Sequence, residues 1–342
     1  MKNTSRPLLF GLISLLFLGM ISCAGDPLDV DVSDIEVDIQ FDRFEQELCQ
    51  AQSADDLIQI NKDLLEKGGE LYEFYTFDIL GSGPPTGDSI HRYLWYFIND
   101  TVMKQVHEDI ELSFGDFQET EDRIVDMFRH LKYHMPKAPL PKQVITYNST
   151  FRYGATSTED RIGIGLEMYL GESNRVIERI GYPVYMKAKM HKDYLPVDVA
   201  RSWIIHNILG ESRGETFLSS MIYFGKLQYL VDAMMPDLDD HLKIRYTQEE
   251  YDYSVASEYN IWQYLLDMNW IYESDVKVKM RFFEEAPTTV GIDASPGRIG
   301  QFMGWRMVQQ YMEKNENVTV EELMTKTREG DILKAYKPEE NE

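Results

Sequence analysis

Apolar residues in the second half of the chain recur at helical spacing: Ala200, Trp203, Ile204 and Ile208 share one face of a helix that the sequence starts near Val197 or Asp198. An acidic residue there suits the positive end of the helix dipole. Beyond Pro196 the pattern stays helical, broken at residues 210–214, at Pro236 and through APTTVGIDASPG. Ser295-Pro296 reads as a helix start with proline in its first turn, followed by Gly300 and Gly304 one turn apart, where a second helix or an aromatic ring can come close. In contrast, QVITYNSTF (143–151) and RIGIGLEMYL (161–170) are rich in β-branched and aromatic residues between turn signals, which predicts neighbouring strands. Residues 40–80 read as two helices, with Phe41, Phe44 and Leu48 on one face, ending at the turn GSGPPTGD. Helical periodicity resumes over about 89–110 and 116–134 and stops before Pro136. Residues 24–38 place acidic side chains at 26, 29, 31, 34, 36 and 38, which predicts a solvated tether. The alternation of Val30, Val32, Ile35 and Val37 leaves an edge strand as the other reading. The fold class is therefore α+β, mainly α, with a small sheet around residues 143–170. Residues 39–342 form one domain, within which 39–135 make an N-terminal helical subdomain.

The first 22 residues change the picture of where this domain works. Lys2 and Arg6 precede an apolar run from Leu8 to Ser22, too short to span a bilayer, so the segment reads as a secretory leader. Met20-Ile21-Ser22-Cys23 is close to the bacterial lipobox, with Met20 where a leucine is usual, which makes Cys23 the expected lipidation site and 23–38 the tether. Several acyl chains on one cysteine hold a protein at a membrane essentially permanently. Lys2 and Arg6 are the only charges of the leader, so its removal takes the formal charge from −24 to −26. Such a surface repels nucleic acid and anionic head groups, and excludes them as partners. Cys49, the only other cysteine, has no intrachain disulfide partner once Cys23 is lipidated. Aromatic residues make up 12% of the chain, enough for a large packed core.

The chemistry turns on WIIHNILGES (203–212). A zinc peptidase helix carries H-E-x-x-H, two imidazoles one turn apart with a glutamate base between them. Here His206 is followed by Asn207, which cannot act as the base, and the position one turn on is Gly210, which has no side chain. The next helix offers Phe224 where a third ligand would stand. His130 and His134 have chelating spacing but sit at a helix end with no third ligand. IGIGLEMYLG places Met168 where a phosphate-binding glycine would be needed. GESRG formally fits G-x-S-x-G but follows a helix and reads as an interhelix turn. The expectation is no metal, no cofactor and no catalysis. Two alternatives stay open: a zinc-dependent hydrolase with unassigned ligands, such as His206 with Glu258 or His241, and a cell-wall or glycan-binding module suggested by the tyrosines and tryptophans.

The leader with Cys23, Asp42 to Phe44, IGIGLEMYLG, the WIIHNIL helix, MIYFGKLQYLVDAMMPDLDD, SEYNIWQYL, Ala286-Pro287, SPGRIGQFMGWRMVQQYM and KAYKP occur in this order along the chain. This ordered set resembles the GldB-type gliding-motility lipoproteins of Bacteroidetes. The resemblance implies an envelope lipoprotein linked with gliding motility and type IX secretion. It would be anchored by lipid on the periplasmic face of the outer membrane (the cell surface or inner membrane being the alternatives) and would act through other envelope proteins. It also implies a zincin-like helical domain, distantly similar to zinc peptidases with an H-E-x-x-H helix. Carried across, the two histidines fall on His206 and Gly210, the base on Asn207 and the later glutamate on Phe224, so only His206 survives. A vestigial cleft is then expected around Trp203, His206, Asn207, Phe224, Trp305 and Arg306.

Overall fold

A computed structural model of the chain describes residues 26–292 and 294–340; the leader 1–22 and Cys23 lie outside the described residues. The predicted strands at 143–151 and 161–170 do lie side by side. They form β2 (Gln143–Tyr147) and β4 (Arg161–Gly165), paired in parallel with Val144 opposite Ile162. Two further strands complete the sheet. β1 (Gln40–Arg43) pairs in parallel with β2 on one side, and β3 (Ala155–Ser157) pairs antiparallel with β4 on the other, giving the order β1-β2-β4-β3. β1 corrects the helical reading of 40–43. This four-residue strand exists through its pairing with a segment about a hundred residues away, which local periodicity does not report.

Helices make up most of the rest. Six that contribute to the main core are α1 (Thr101–Phe114), α2 (Gln118–His134), α3 (Leu195–Ile204), α4 (Phe217–Met234), α5 (Gln248–Asp267) and α6 (Ile299–Lys314). Among the described residues none is long and apolar enough to cross a membrane. Successive residues of β2 point to opposite faces of the sheet and so feed two cores. Val144 joins the main core with Ile162, Ile164 and the buried faces of α1, α2, α3, α4 and α6. Ile145 and Tyr147 close a second core formed by residues 44–98. The apolar contacts thus divide the region 39–135: its first part packs as a unit under the sheet, while α1 and α2 belong to the main core.

The acidic segment is not a free tether from residue 26 on. Leu28 and Val32 are buried, and the acidic side chains between them point outward. Arg129 and Lys132 of α2 donate to the carbonyls of Ile35 (3.1 Å) and Glu36 (2.8 Å), so the alternating valines and isoleucine serve to lay an extended strap along that helix. Ser295-Pro296 also differs from expectation. The helix begins only at Ile299, because the carbonyls of Ser295 and Pro296 are held by Thr289 in a buried turn and Arg298 adopts a left-handed conformation (φ 62°). The two glycines after it act as the spacing predicts. Gly304 lies against the backbone of Met221 on α4, and Gly300 against the ring of Phe283.

Candidate functional site

α3 begins at Leu195 with Pro196 in its first turn, and its last turn, Ile205–Leu209, widens to a π-helix. Widened turns of this kind re-aim side chains and recur at functional sites. Gly210 ends it with φ 75°, a conformation open to glycine at no steric cost. The exposed His206 lies on this turn and lines a cleft of about 910 Å³.

The wall of the cleft is the edge strand. Gly154 to Thr158 line it without interruption, and β3 is braced on α3 by a 2.8 Å hydrogen bond between Ser157 and Ser202. Asn207, beside the histidine, donates its amide to the carbonyl of Thr158 (3.1 Å) and so ties down the end of the edge strand. Asn207→Ala is expected to cost about 1 kcal/mol, the usual net worth of such a bond. Faster hydrogen exchange around Thr158 would report the loss, with the rest of the sheet unchanged.

The floor is ionic. Asp198 pairs with Arg245 and accepts from the Tyr169 hydroxyl at 3.0 Å. Lys189, 4% exposed, reaches Glu285 at 3.1 Å and Glu250 at 3.3 Å, and Glu285 also pairs with Arg298. Burial raises the Tyr169 hydroxyl well above its ordinary value, so it stays a proton donor to Asp198.

Sequence reasoning passed over Glu167. It follows β4, is fully buried, and its Oε1 accepts from Ser149 N (2.8 Å), Phe151 N (2.9 Å) and the Ser149 hydroxyl. Those contacts hold the turn that leads into the cleft wall, in which Thr150 and Phe151 are both left-handed (φ 56° and 62°). Burial pushes the Glu167 carboxyl up to about 7. The signal was present in the sequence: a glutamate inside the apolar run IGIGLEMYL must find donors or remain unburied.

Of the residues expected around a vestigial cleft, the structure brings His206 into the cleft and Asn207 to its edge. Trp203 faces the core, fully buried, donating to the carbonyl of Pro139 (3.1 Å) and meeting the Phe128 ring edge-on. Phe224 stacks on Phe283 at 5.5 Å, under the Arg213 guanidinium. Trp305, fully buried, donates to Asp232, whose carboxyl burial pushes up to about 7. Arg306 and Tyr336 occupy both oxygens of Glu258 (2.8 and 2.9 Å), which commits that carboxylate away from His206. His241 opens on a separate cavity. Among the described residues, no three His, Cys, Asp or Glu side chains converge as metal ligands would. His130 and His134 turn to the carbonyls of Asp126 and Leu28. The Cys49 thiol, 3.4 Å from His107 Nδ1, is pushed up to about 11 by burial and by the Glu45 carboxylate, which keeps it protonated and weakly nucleophilic.

In comparisons with known proteins, the model of one family, described as gliding motility protein GldB, matches residues 25–338. No curated protein and no solved structure matches.

Proposed function

Since the chain belongs to the gliding motility protein GldB family, we propose that it is an envelope lipoprotein that works by contact with other motility or secretion proteins and not by catalysis. It is anchored through Cys23, on the periplasmic face of the outer membrane, and its architecture is zincin-like with the catalyst removed. One observation carries this reading: the cleft is built, yet the positions around His206 that a zinc-peptidase helix would use hold neither a second ligand nor a base. The position one turn on is the side-chain-free Gly210, Asn207 spends its amide on Thr158, and Phe224 is buried in an aromatic stack. An antiparallel edge strand over a helix that bears the remaining histidine supports the zincin-like comparison.

Three measurements test it. Photo-cross-linking in intact cells, from a reactive group installed at Tyr272 or Val184 on exposed faces outside the cleft and at Thr156 within it, is expected to trap envelope proteins. Absence of adducts at all three positions would refute a contact role. Purified without chelators, the full chain is expected to hold less than about a tenth of an equivalent of zinc, the stoichiometry of adventitious binding. One equivalent that disappears in His206→Ala would restore the hydrolase reading. Cys23→Ala is expected to shift the chain from the membrane to the soluble fraction, since the anchor alone holds it there.

A further inference from the structure

β3 is the last strand of its sheet, and its outer edge faces the cleft. In an antiparallel ladder alternate residues turn their main-chain groups to the partner. Gly165 N donates to Gly154 O (2.9 Å) and Thr158 N to Arg161 O (2.9 Å), with Thr156 opposite Gly163 between them. Residues 154 and 156 and the N–H of Thr158 are therefore spent on β4, while the Thr158 carbonyl takes the Asn207 amide. The N–H and C=O groups of Ala155 and Ser157 point the other way, toward the cleft. Exposed edges are ordinarily blunted by lysine, proline or a bulge. Ala155-Thr156-Ser157 has none of these, and the cleft instead shields the edge from another sheet while leaving room for one extended chain.

The charges of the cleft say what that chain carries. Asp198 is neutralised by Arg245, Lys189 by Glu250 and Glu285, and Arg213 by Glu284 (2.7 Å). The carboxylates of Glu70 and Glu211, which also line the cleft, have no ion-pair or hydrogen-bond partner among the described residues. The unbalanced charge of the cleft is negative, on a protein whose formal net charge is −24.

We propose that the cleft binds an extended, basic peptide segment of a partner protein, which adds as a further strand to β3 through Ala155 and Ser157 and places lysine or arginine side chains beside Glu70 and Glu211. The inference rests on the contact role stated above and gives it a surface and a partner chemistry. Main-chain bonds supply sequence-independent affinity in such strand addition, and the alternate side chains supply selectivity.

The test uses the full chain in detergent and a fluorescein-labelled peptide alternating lysine and threonine, read by anisotropy. Saturable binding is expected. It should weaken tenfold or more when alternate peptide nitrogens are methylated, because several main-chain bonds of about 1 kcal/mol each are lost. Ala155→Pro removes one cleft-facing donor without touching the ladder to β4, and is expected to weaken binding about fivefold. Glu70→Gln combined with Glu211→Gln should weaken the lysine peptide and leave a peptide of alternating serine and threonine unchanged. Absence of binding to the unaltered chain overturns the proposal. Equal affinity for the methylated peptide also overturns it, and that arm needs no variant to fold. If cross-linking traps partners at Tyr272 or Val184 while the peptide fails to bind, this proposal falls and the contact role stands. Peptide binding without any cross-linked partner overturns the partner-protein assignment together with the contact role, and leaves only the strand-addition chemistry of the cleft.

Discussion

Gly304→Ala is expected to destabilise the protein by at least about 3 kcal/mol, at the upper end of the cost of overpacking a core. A Cβ built at this position would lie 1.8 Å from the carbonyl oxygen of Met221 on α4, and on the facing helix a Cβ at Gly225 would lie 2.2 Å from the carbonyl oxygen of Gly304. These obstacles are backbone, so no rotamer change relieves them. α4 and α6 would have to separate, and both carry buried faces of the main core. A domain stable by roughly 5–15 kcal/mol feels such a loss strongly. Two comparisons isolate the cause. At Gly300 the added carbon meets the Phe283 ring, which can shift, so the penalty is expected to be smaller. At Gly330, inside a short helix with nothing within 4 Å of the added carbon, alanine is expected to be neutral or to stabilise by up to about 1 kcal/mol, the usual helix-propensity difference. Denaturant unfolding of the three variants gives the ranking; equal effects at Gly304 and Gly330 would refute the close-approach argument.

Glu167→Ala is expected to cost about 3 kcal/mol or more and to loosen the cleft wall at the same time. Three hydrogen bonds converge on Oε1, two of them from main-chain N–H groups. Each buried donor left without an acceptor costs about 1–3 kcal/mol. The turn they hold contains two consecutive left-handed non-glycine residues, a conformation that persists only while its surroundings enforce it. Glu167→Gln separates the hydrogen bonds from the charge, because its amide oxygen can still accept from the same donors. The folded-state carboxyl, at about 7, lies above its ordinary value of 4.5. Its contribution to stability is therefore fully present below pH 4.5 and is lost as the pH rises through 7. The shift corresponds to about 3 kcal/mol at 1.36 kcal/mol per pH unit. Relative to the unaltered chain, Glu167→Gln is expected to gain stability across that window and to match or trail it below pH 4.5. Asp232 titrates over a similar range, raised likewise by burial, so the comparison is read as a difference between the two proteins. A difference independent of pH from 4 to 8 would show that burial does not set the Glu167 proton.

The two strands at 143–151 and 161–170 and the helices after Pro196 were legible because their apolar periodicity is local. That Gly210 and Asn207 offer neither an imidazole nor a carboxylate at the spacings of an H-E-x-x-H helix was legible for the same reason, since spacing from His206 is a property of one helix. The companions of His206 were not. Trp203, Phe224, Trp305 and Arg306 looked like neighbours of a cleft because aromatic and cationic side chains serve both cores and sites, and the structure commits each to a partner elsewhere. Asp198, Arg245, Lys189 and Glu167 come from four separate segments, and nothing in their local sequence ties them together.

By itself the sequence determined the mainly helical α+β class, the ordered motifs that identify the family, and the departure of the His206 helix from the H-E-x-x-H pattern, all of which depend on residue type and short-range spacing. Tertiary structure alone decided that QFDR is a strand, that the acidic segment is a strap from residue 26 on, and that the edge of β3 is left open beside His206. Each of those depends on which distant segment supplies the missing hydrogen bonds, and main-chain hydrogen bonding does not discriminate among sequences until packing brings the two partners together.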